Sequence, residues 1–155
     1  VKTYFISGHR TPTDLARVYY REQILALEFE ECSVVVGDYY GIDAYAQGLM
    51  YSVNENRVAS GKEPIPVTVY HMFDDPRNNS AGFPTKGGFT SDHERDSAMT
   101  LDSDEDIAFV DAGREGSGTH QNIVRRHVMS VTKNLSKSQA KEFTNSFIYL
   151  LRDRE

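Results

Sequence analysis

Three observations on the 155-residue sequence predict an α/β fold. Short apolar runs alternate with stretches whose apolar residues recur at helical spacing, the order expected of strand–helix–strand units. The runs at 33–36 and 107–110 are apolar or small at successive positions, as strands covered on both faces are. Three strand ends carry glycine turns that lead into helices, at Gly8, at 37–41 and at 116–118. The expected architecture is a Rossmann-like three-layer sandwich. It has a mostly parallel sheet of four to five strands with helices on both faces.

Residues 3–7 read as the first strand, which stops at Gly8-His9-Arg10. Thr11 is the expected helix N-cap, with Pro12 at the first helical position and Asp14 in the first turn. Leu15, Val18, Leu25 and Phe29 recur at helical spacing and carry this helix to about residue 29. Residues 33–36 form the second strand, and the turn at 37–41 opens a helix with Ala46, Leu49, Met50 and Val53 as its buried stripe. Gly48 lowers helix propensity inside that stripe, which predicts close approach of a neighbouring backbone. The helix ends by 60–64, and 67–70 is the third strand. Residues 71–89 hold two prolines, three glycines and no clear period. This long loop at about 71–90 reads as a lid or specificity loop, with a solvated insertion as the equal alternative. A helix over 91–101, a strand over 107–110 and a helix from 119 to about 131 follow. Ser136-Lys137-Ser138-Gln139 is a capping-box pattern. It opens a last helix with Ala140, Phe143, Phe147 and Leu150 on one face, which predicts packing on the sheet or in a homo-oligomer.

The length suits a single domain over 1–155 with a full core. The formal net charge of −6 argues against a surface built to bind the nucleic acid backbone. It leaves room for a small anionic ligand, because Arg, His and backbone N–H groups can make a local positive pocket. The single cysteine, Cys32, excludes an internal disulfide and reads as a small buried residue. No apolar run is long enough to cross a membrane and no signal-peptide pattern opens the sequence, so a cytoplasmic protein is expected. No Cys/His cluster has zinc-ligand spacing.

In sheets of this kind ligands sit outside the carboxyl ends of the strands. Gly116-Ser117-Gly118-Thr119 lies between a strand and a helix. Bare backbone N–H groups and the positive helix end converge there, a point that attracts phosphate or another anion. Arg95, on the preceding helix, is placed to reach the same crevice. His9 and Arg10 follow the first turn and read as anion partners. Asp38 and Asp43 flank the second turn, where Tyr39 and Tyr40 offer rings to stack on a base. The acidic run Asp102, Asp104, Glu105 and Asp106 reads as a solvated turn. No cofactor is called for, and Mg²⁺ would enter only with a phosphate ligand.

Taken in order, these residues resemble the SLOG superfamily of Rossmann-like domains. The likeness lies in Ile6-Ser7-Gly8-His9-Arg10, then Gly37-Asp38-Tyr39-Tyr40-Gly41-Ile42-Asp43-Ala44-Tyr45-Ala46, then Arg95-Asp96 with Met99, then Gly116-Ser117-Gly118-Thr119. It spans roughly residues 3–131 and is most evident with YspA/YpsA-like members. The superfamily also holds the DprA core and the Lonely-guy phosphoribohydrolases, and the nucleoside 2-deoxyribosyltransferases share its plan more distantly. The resemblance implies a pocket for a nucleotide or nucleotide derivative. Gly116, Ser117, Gly118 and Thr119 would cradle phosphate, and Gly8 would admit the ligand to the first turn. Gly37 and Gly41 would shape the second turn. Asp43 would lie near the ribose or base, and Arg95 would pair with phosphate or a carboxylate.

Glycosidic enzymes of this kind carry a glutamate just inside the helix after the glycine–threonine loop, where this chain reads Thr119-His120-Gln121-Asn122. A neutral amide neither attacks a sugar carbon nor stabilises an oxocarbenium ion. The first expectation is therefore a module that binds a nucleotide-like small molecule, a signal or a metabolite. The alternative is a hydrolase or transferase acting on the N-glycosidic bond of a nucleotide, with Asp43 and Glu94 or Asp96 as catalytic carboxylates. Single-strand DNA binding comes third, because the chain lacks a basic tract.

Overall fold

Every strand pairing in the sheet is parallel. The structure is a computed structural model describing residues 1–133 together with 136, 138, 139, 142 and 145. Among these residues the strands are β1 (Lys2–Ile6), β2 (Cys32–Gly37), β3 (Val67–Met72), β4 (Thr85–Phe89) and β5 (Glu105–Ile107). The α-helices are α1 (Asp14–Leu25), α2 (Ile42–Ala59), α3 (Asp92–Leu101) and α4 (Gly118–Thr132). The strand order is β4-β3-β2-β1-β5, a Rossmann-like α/β arrangement. The chain adds strands outward from β1 to β4 and then crosses back to the far side of β1. The loops after β1 and β5 diverge at that reversal, where open α/β sheets form a binding crevice.

Successive strand residues enter two separate clusters, as a period of two requires. Ile6, Val34, Val36 and Val69 pack with Ala16, Tyr20 and Ile24 of α1 and with Ala46, Met50 and Val53 of α2. The alternate residues Phe5, Val35 and Tyr70 pack with Met99 and Ala98 of α3. Each large apolar side chain removed from water in this way contributes roughly 1.5–3 kcal/mol. No helix among the described residues is long and apolar enough to cross a membrane.

The structure moves several boundaries. The N-cap of α1 is Thr13, not Thr11: its side chain accepts from the Ala16 N–H, and Pro12 lies outside the helix. The expected α1 stripe is also displaced. Leu15, Val18 and Phe29 are exposed, and the buried face is Ala16, Tyr20 and Ile24, with Leu27 in the 3₁₀ turn (Ala26–Phe29) that follows. Tyrosine fills the core position because its hydroxyl has backbone partners: it donates to the Ser7 carbonyl (2.6 Å) and accepts from the Phe109 N–H (2.8 Å). The same hydroxyl shortens β5. The expected strand at 107–110 ends at Ile107, because Phe109 bonds to Tyr20 in place of a further rung. Gly48 has open space around it rather than a neighbouring backbone.

The long loop expected at 71–90 is in part an edge strand. β4 lies parallel to β3 and is largely exposed. Its sequence, Thr-Lys-Gly-Gly-Phe, has no apolar alternation, and its strand formers Thr85 and Phe89 are separated by Lys86 and two glycines, so it carries little of the usual strand signal. The connection at 73–84 remains irregular. At the chain's end, Ser136 and Gln139 exchange the expected reciprocal capping bonds. Ala140, Phe143, Phe147 and Leu150, and the apolar face assigned to them, lie outside the described residues.

Candidate functional site

A cavity of about 280 Å³ opens beyond the carboxyl ends of β1 and β2. Phe5, Ser7 and Gly8 line it from β1 and its turn, with Arg10 following. Tyr39, Tyr40 and Asp43 line it from the β2 turn and α2. Asp92, Arg95, Asp96 and Met99 line it from α3, and Thr119 and Asn122 from α4. Three helices thus start at one place, each presenting the positive end of its dipole.

Local backbone geometry fixes the second turn. Gly41 is the residue before α2, with φ +79°, and a side chain there would collide with the Arg10 backbone. Only glycine meets both demands without strain. Its carbonyl accepts from the Tyr45 N–H, and the His9 carbonyl accepts from the Ile42 N–H, so the first turn is pinned to the start of α2. Gly8 serves the same contact, because a Cβ would lie 2.5 Å from the Ile42 side chain. At Gly37 a side chain would strike the Asp43 carboxylate and the Arg95 guanidinium. These glycines let the two turns and α2 pack closely, and Gly8 also lines the cavity.

Arg95 organises the charges. It is 6% exposed. Its NH1 donates to Asp38 Oδ1 (2.8 Å), and its Nε and NH2 donate to Asp96 Oδ1 (3.2 and 3.0 Å). The other Asp96 oxygen accepts from Asn122 Nδ2 (3.2 Å), whose Oδ1 accepts from Arg125 NH1 (2.6 Å). One chain of charge-assisted bonds therefore joins the end of β2 to α3 and α4. Arg77, from the irregular connection, adds a second clamp. Its backbone N–H (2.8 Å), Nε (3.1 Å) and NH2 (2.8 Å) all donate to Asp38. Its NH2 also reaches Asp92 (2.9 Å), and its guanidinium lies 4.2 Å from the centre of the Tyr39 ring.

Asp38 and Asp43 respond oppositely to this setting. Burial alone would raise the Asp38 carboxyl. The bonds and charges of Arg77 and Arg95 outweigh it and hold that group below its ordinary value. Asp43 receives one backbone bond, from the Tyr39 N–H to Oδ2 (3.1 Å). Burial dominates, the Arg95 charge only partly compensates, and the carboxyl is pushed up to about 7. Near neutral pH it therefore exchanges a proton, donating when neutral and accepting when ionised.

The sequence-predicted residues divide. Gly8, Arg10, Asp43, Arg95, Asp96 and Thr119 line the cavity. His9 does not: its ring is buried and accepts the Asp111 N–H at Nε2 (3.1 Å), with burial and then Arg114 lowering its proton affinity. Asp38 is fully buried beneath Arg77 and Arg95. Glu94 is exposed and caps α3, accepting from the Thr90 N–H and hydroxyl while its own N–H donates to Ser91 Oγ. Gly116, Ser117 and Gly118 do not line the cavity. The Gly116 N–H donates to His120 Nδ1 (2.7 Å), the Ser117 N–H to the Arg114 carbonyl (3.2 Å), and Ser117 Oγ caps α4. The glycine loop thus spends two amides on itself. Thr119, in the first turn of α4, is its representative at the cavity.

Sequence reasoning missed Arg77 and Ser7. Arg77 sits in the segment without period, and its role depends on pairings 15 and 39 residues distant. Ser7 was counted only as part of a motif. Asn122 entered only as one of the amides standing where the enzymes the sequence resembles carry a glutamate, yet it lines the cavity. Gln121 instead donates to the Gly116 carbonyl (2.9 Å). The carboxylates at 102–106 have protein partners: Tyr70 and Lys86 on Asp102, Thr3 on Asp104, Lys2 on Glu105 and Arg126 on Asp106. No group of three or more His, Cys, Asp or Glu side chains among the described residues is placed to hold a metal. In comparisons with known proteins, no family model and no curated protein matches the chain.

Proposed function

We propose that the chain binds a nucleotide or nucleotide-derived small molecule in the strand-end cavity. The observation that carries this reading is the division of that one cavity into regions of different chemistry. Tyr40, half exposed and packed on the Tyr39 ring with centroids 4.3 Å apart, offers an aromatic face at its rim. Arg10, which makes no ion pair among the described residues and bonds to the Tyr39 hydroxyl (3.0 Å), offers a cation beside them. Thr119 brings the α4 N-terminus, and Asp43 and Asp96 bring acceptors for sugar hydroxyls. A base, an anionic group and a polyol are the three parts of a nucleotide, and each has a complement here.

The test is mass spectrometry on protein incubated with ribo- and deoxyribonucleoside monophosphates, NAD and ADP-ribose. The expected result is intact nucleotide released on denaturing the washed protein. Tyr40→Ala should weaken that binding about tenfold, the scale of one base–aromatic stack. Tyr40 is half exposed, so its loss leaves the fold intact. Unchanged binding by this variant would remove the aromatic rim from the reading.

A second reading has one observation in its favour. Asp43, pushed up to about 7, lines the same cavity as Asp92 and Asp96. A carboxyl protonated near neutral pH beside other carboxylates is the pairing that N-glycosidic cleavage uses, one group giving a proton and another assisting the sugar carbon. Free base and sugar phosphate in the supernatant would select this reading. Glu94, facing away as a helix cap, has no part in it.

A further inference from the structure

We infer that Ser7 Oγ is a hydrogen-bond partner for a ribose hydroxyl, and that the cavity therefore selects ribonucleotides over 2′-deoxyribonucleotides. The inference rests on the nucleotide reading above and specifies the sugar. Ser7 is 6% exposed and lines the cavity. Its Oγ is the one buried side-chain polar atom without a hydrogen-bond partner among the described residues. Buried polar groups in folded proteins are nearly always paired, so an orphan at a cavity wall points to a partner supplied from the cavity.

The position of Ser7 is fixed. Its N–H donates to the Ile107 carbonyl (3.1 Å) and its carbonyl accepts from the Tyr20 hydroxyl (2.6 Å). Only the side chain is left unspent, on backbone held from both sides, so ordering it on binding carries little entropic penalty.

The surrounding charge decides what that partner is. Asp43, Asp92 and Asp96 line the same cavity, and Arg95 beside them is already bonded to Asp38 and Asp96, so a phosphate set among them would meet like charge. The aromatic rim suits the base, and Tyr40 is among its most exposed side chains. A neutral polyol remains for the deeper wall. Asn122 already uses both ends of its amide, on Asp96 and Arg125. A vicinal diol would donate to the carboxylates with its two hydrogens while one of its oxygens accepts from Ser7. A single hydroxyl has one hydrogen and serves fewer of these groups. A sugar lacking the 2′-hydroxyl would leave a buried partner unsatisfied, the situation that discriminates most strongly against an analogue.

The experiment is calorimetric titration of parent and Ser7→Ala with the four common ribonucleoside monophosphates and their 2′-deoxy counterparts. The parent should bind its preferred ribonucleotide about tenfold more tightly than the deoxy form, the scale of one hydrogen bond. In Ser7→Ala the ratio should fall toward one with the thermal midpoint unchanged, because Oγ makes no bond within the fold. Nucleotides that bind with no preference for ribose, or with the same preference in both proteins, overturn this inference and leave the nucleotide reading standing. A large drop in midpoint also overturns it, since Oγ would then serve the fold. If neither series binds and the nucleotide pool yields no bound ligand, the nucleotide reading fails and takes this inference with it.

Discussion

Asp38→Asn is expected to lower stability by roughly 3 kcal/mol at pH 7, the scale for removing one partner of a buried ion pair. Asp38 is fully buried and accepts four bonds, three from Arg77 and one from Arg95. An asparagine of the same shape has only one acceptor oxygen. Its amide nitrogen would face a guanidinium, and both arginines would lose their shared counter-charge. Arg95 is the side chain least able to tolerate this, because it is itself buried. Arg77→Ala removes the other half of the clamp but should lose only about 1 kcal/mol, since a third of that side chain faces water. The pH dependence has a definite sign. The Asp38 carboxyl is held below its ordinary value when folded: burial opposes this and the two arginines prevail. Its stabilisation is then fully present above about pH 4 and is lost as pH falls through the folded value. The gap between parent and variant in urea unfolding should therefore be widest near neutrality and close in acid. A variant as stable as the parent at pH 7 would show that the arginines are adequately paired without it.

The difference between Asp38 and Asp43 shows what the sequence made legible. Both flank one glycine turn, but only Asp43 lines the cavity; Asp38 is buried beneath Arg77 and Arg95. Their opposite roles were not legible, because they depend on Arg77 and Arg95, which lie 39 and 57 residues away from Asp38. The strand-end location followed from the alternation of apolar runs and glycine turns, which are local signals. The edge strand β4 did not, because Thr-Lys-Gly-Gly-Phe is held by the β3 ladder and not by its own apolar pattern. Tyr20 misled for a related reason. It is absent from the expected stripe of Leu15, Val18, Leu25 and Phe29, yet its hydroxyl is satisfied by Ser7 and Phe109 and its ring fills the core. Glu94 shows the converse. Its spacing from Ser91 is a capping signal in its own right, and the structure uses it so.

Asp43→Asn is expected to raise stability above neutral pH, and the gain should grow with pH over a defined window. The folded carboxyl titrates at about 7, pushed up chiefly by burial with Arg95 opposing. An unfolded aspartate titrates at about 3.9. Between these values the folded protein holds a proton that the unfolded chain has released, so stability falls as pH rises from about 4 to about 7. The total is up to roughly 4 kcal/mol, at about 1.4 kcal/mol per unit. Asparagine is neutral throughout, and its side-chain oxygen still accepts the Tyr39 N–H, so the variant should lack this decline. Urea unfolding at half-unit steps from pH 4 to 8 would show the two curves meeting near pH 4 and separating to a constant gap above pH 7. Parallel curves would mean that Asp43 is ionised across the range and that its charge is fully compensated by Arg95. The same proton matters to the ligand. If Asp43 contacts a sugar hydroxyl or a leaving base, nucleotide affinity or turnover should change through a single step near pH 7 in the parent and lose that step in the variant. Under the proposed function, stability would trade against function at this residue: the burial that destabilises the ionised carboxylate also sets its proton affinity where a binding or acid–base group is useful.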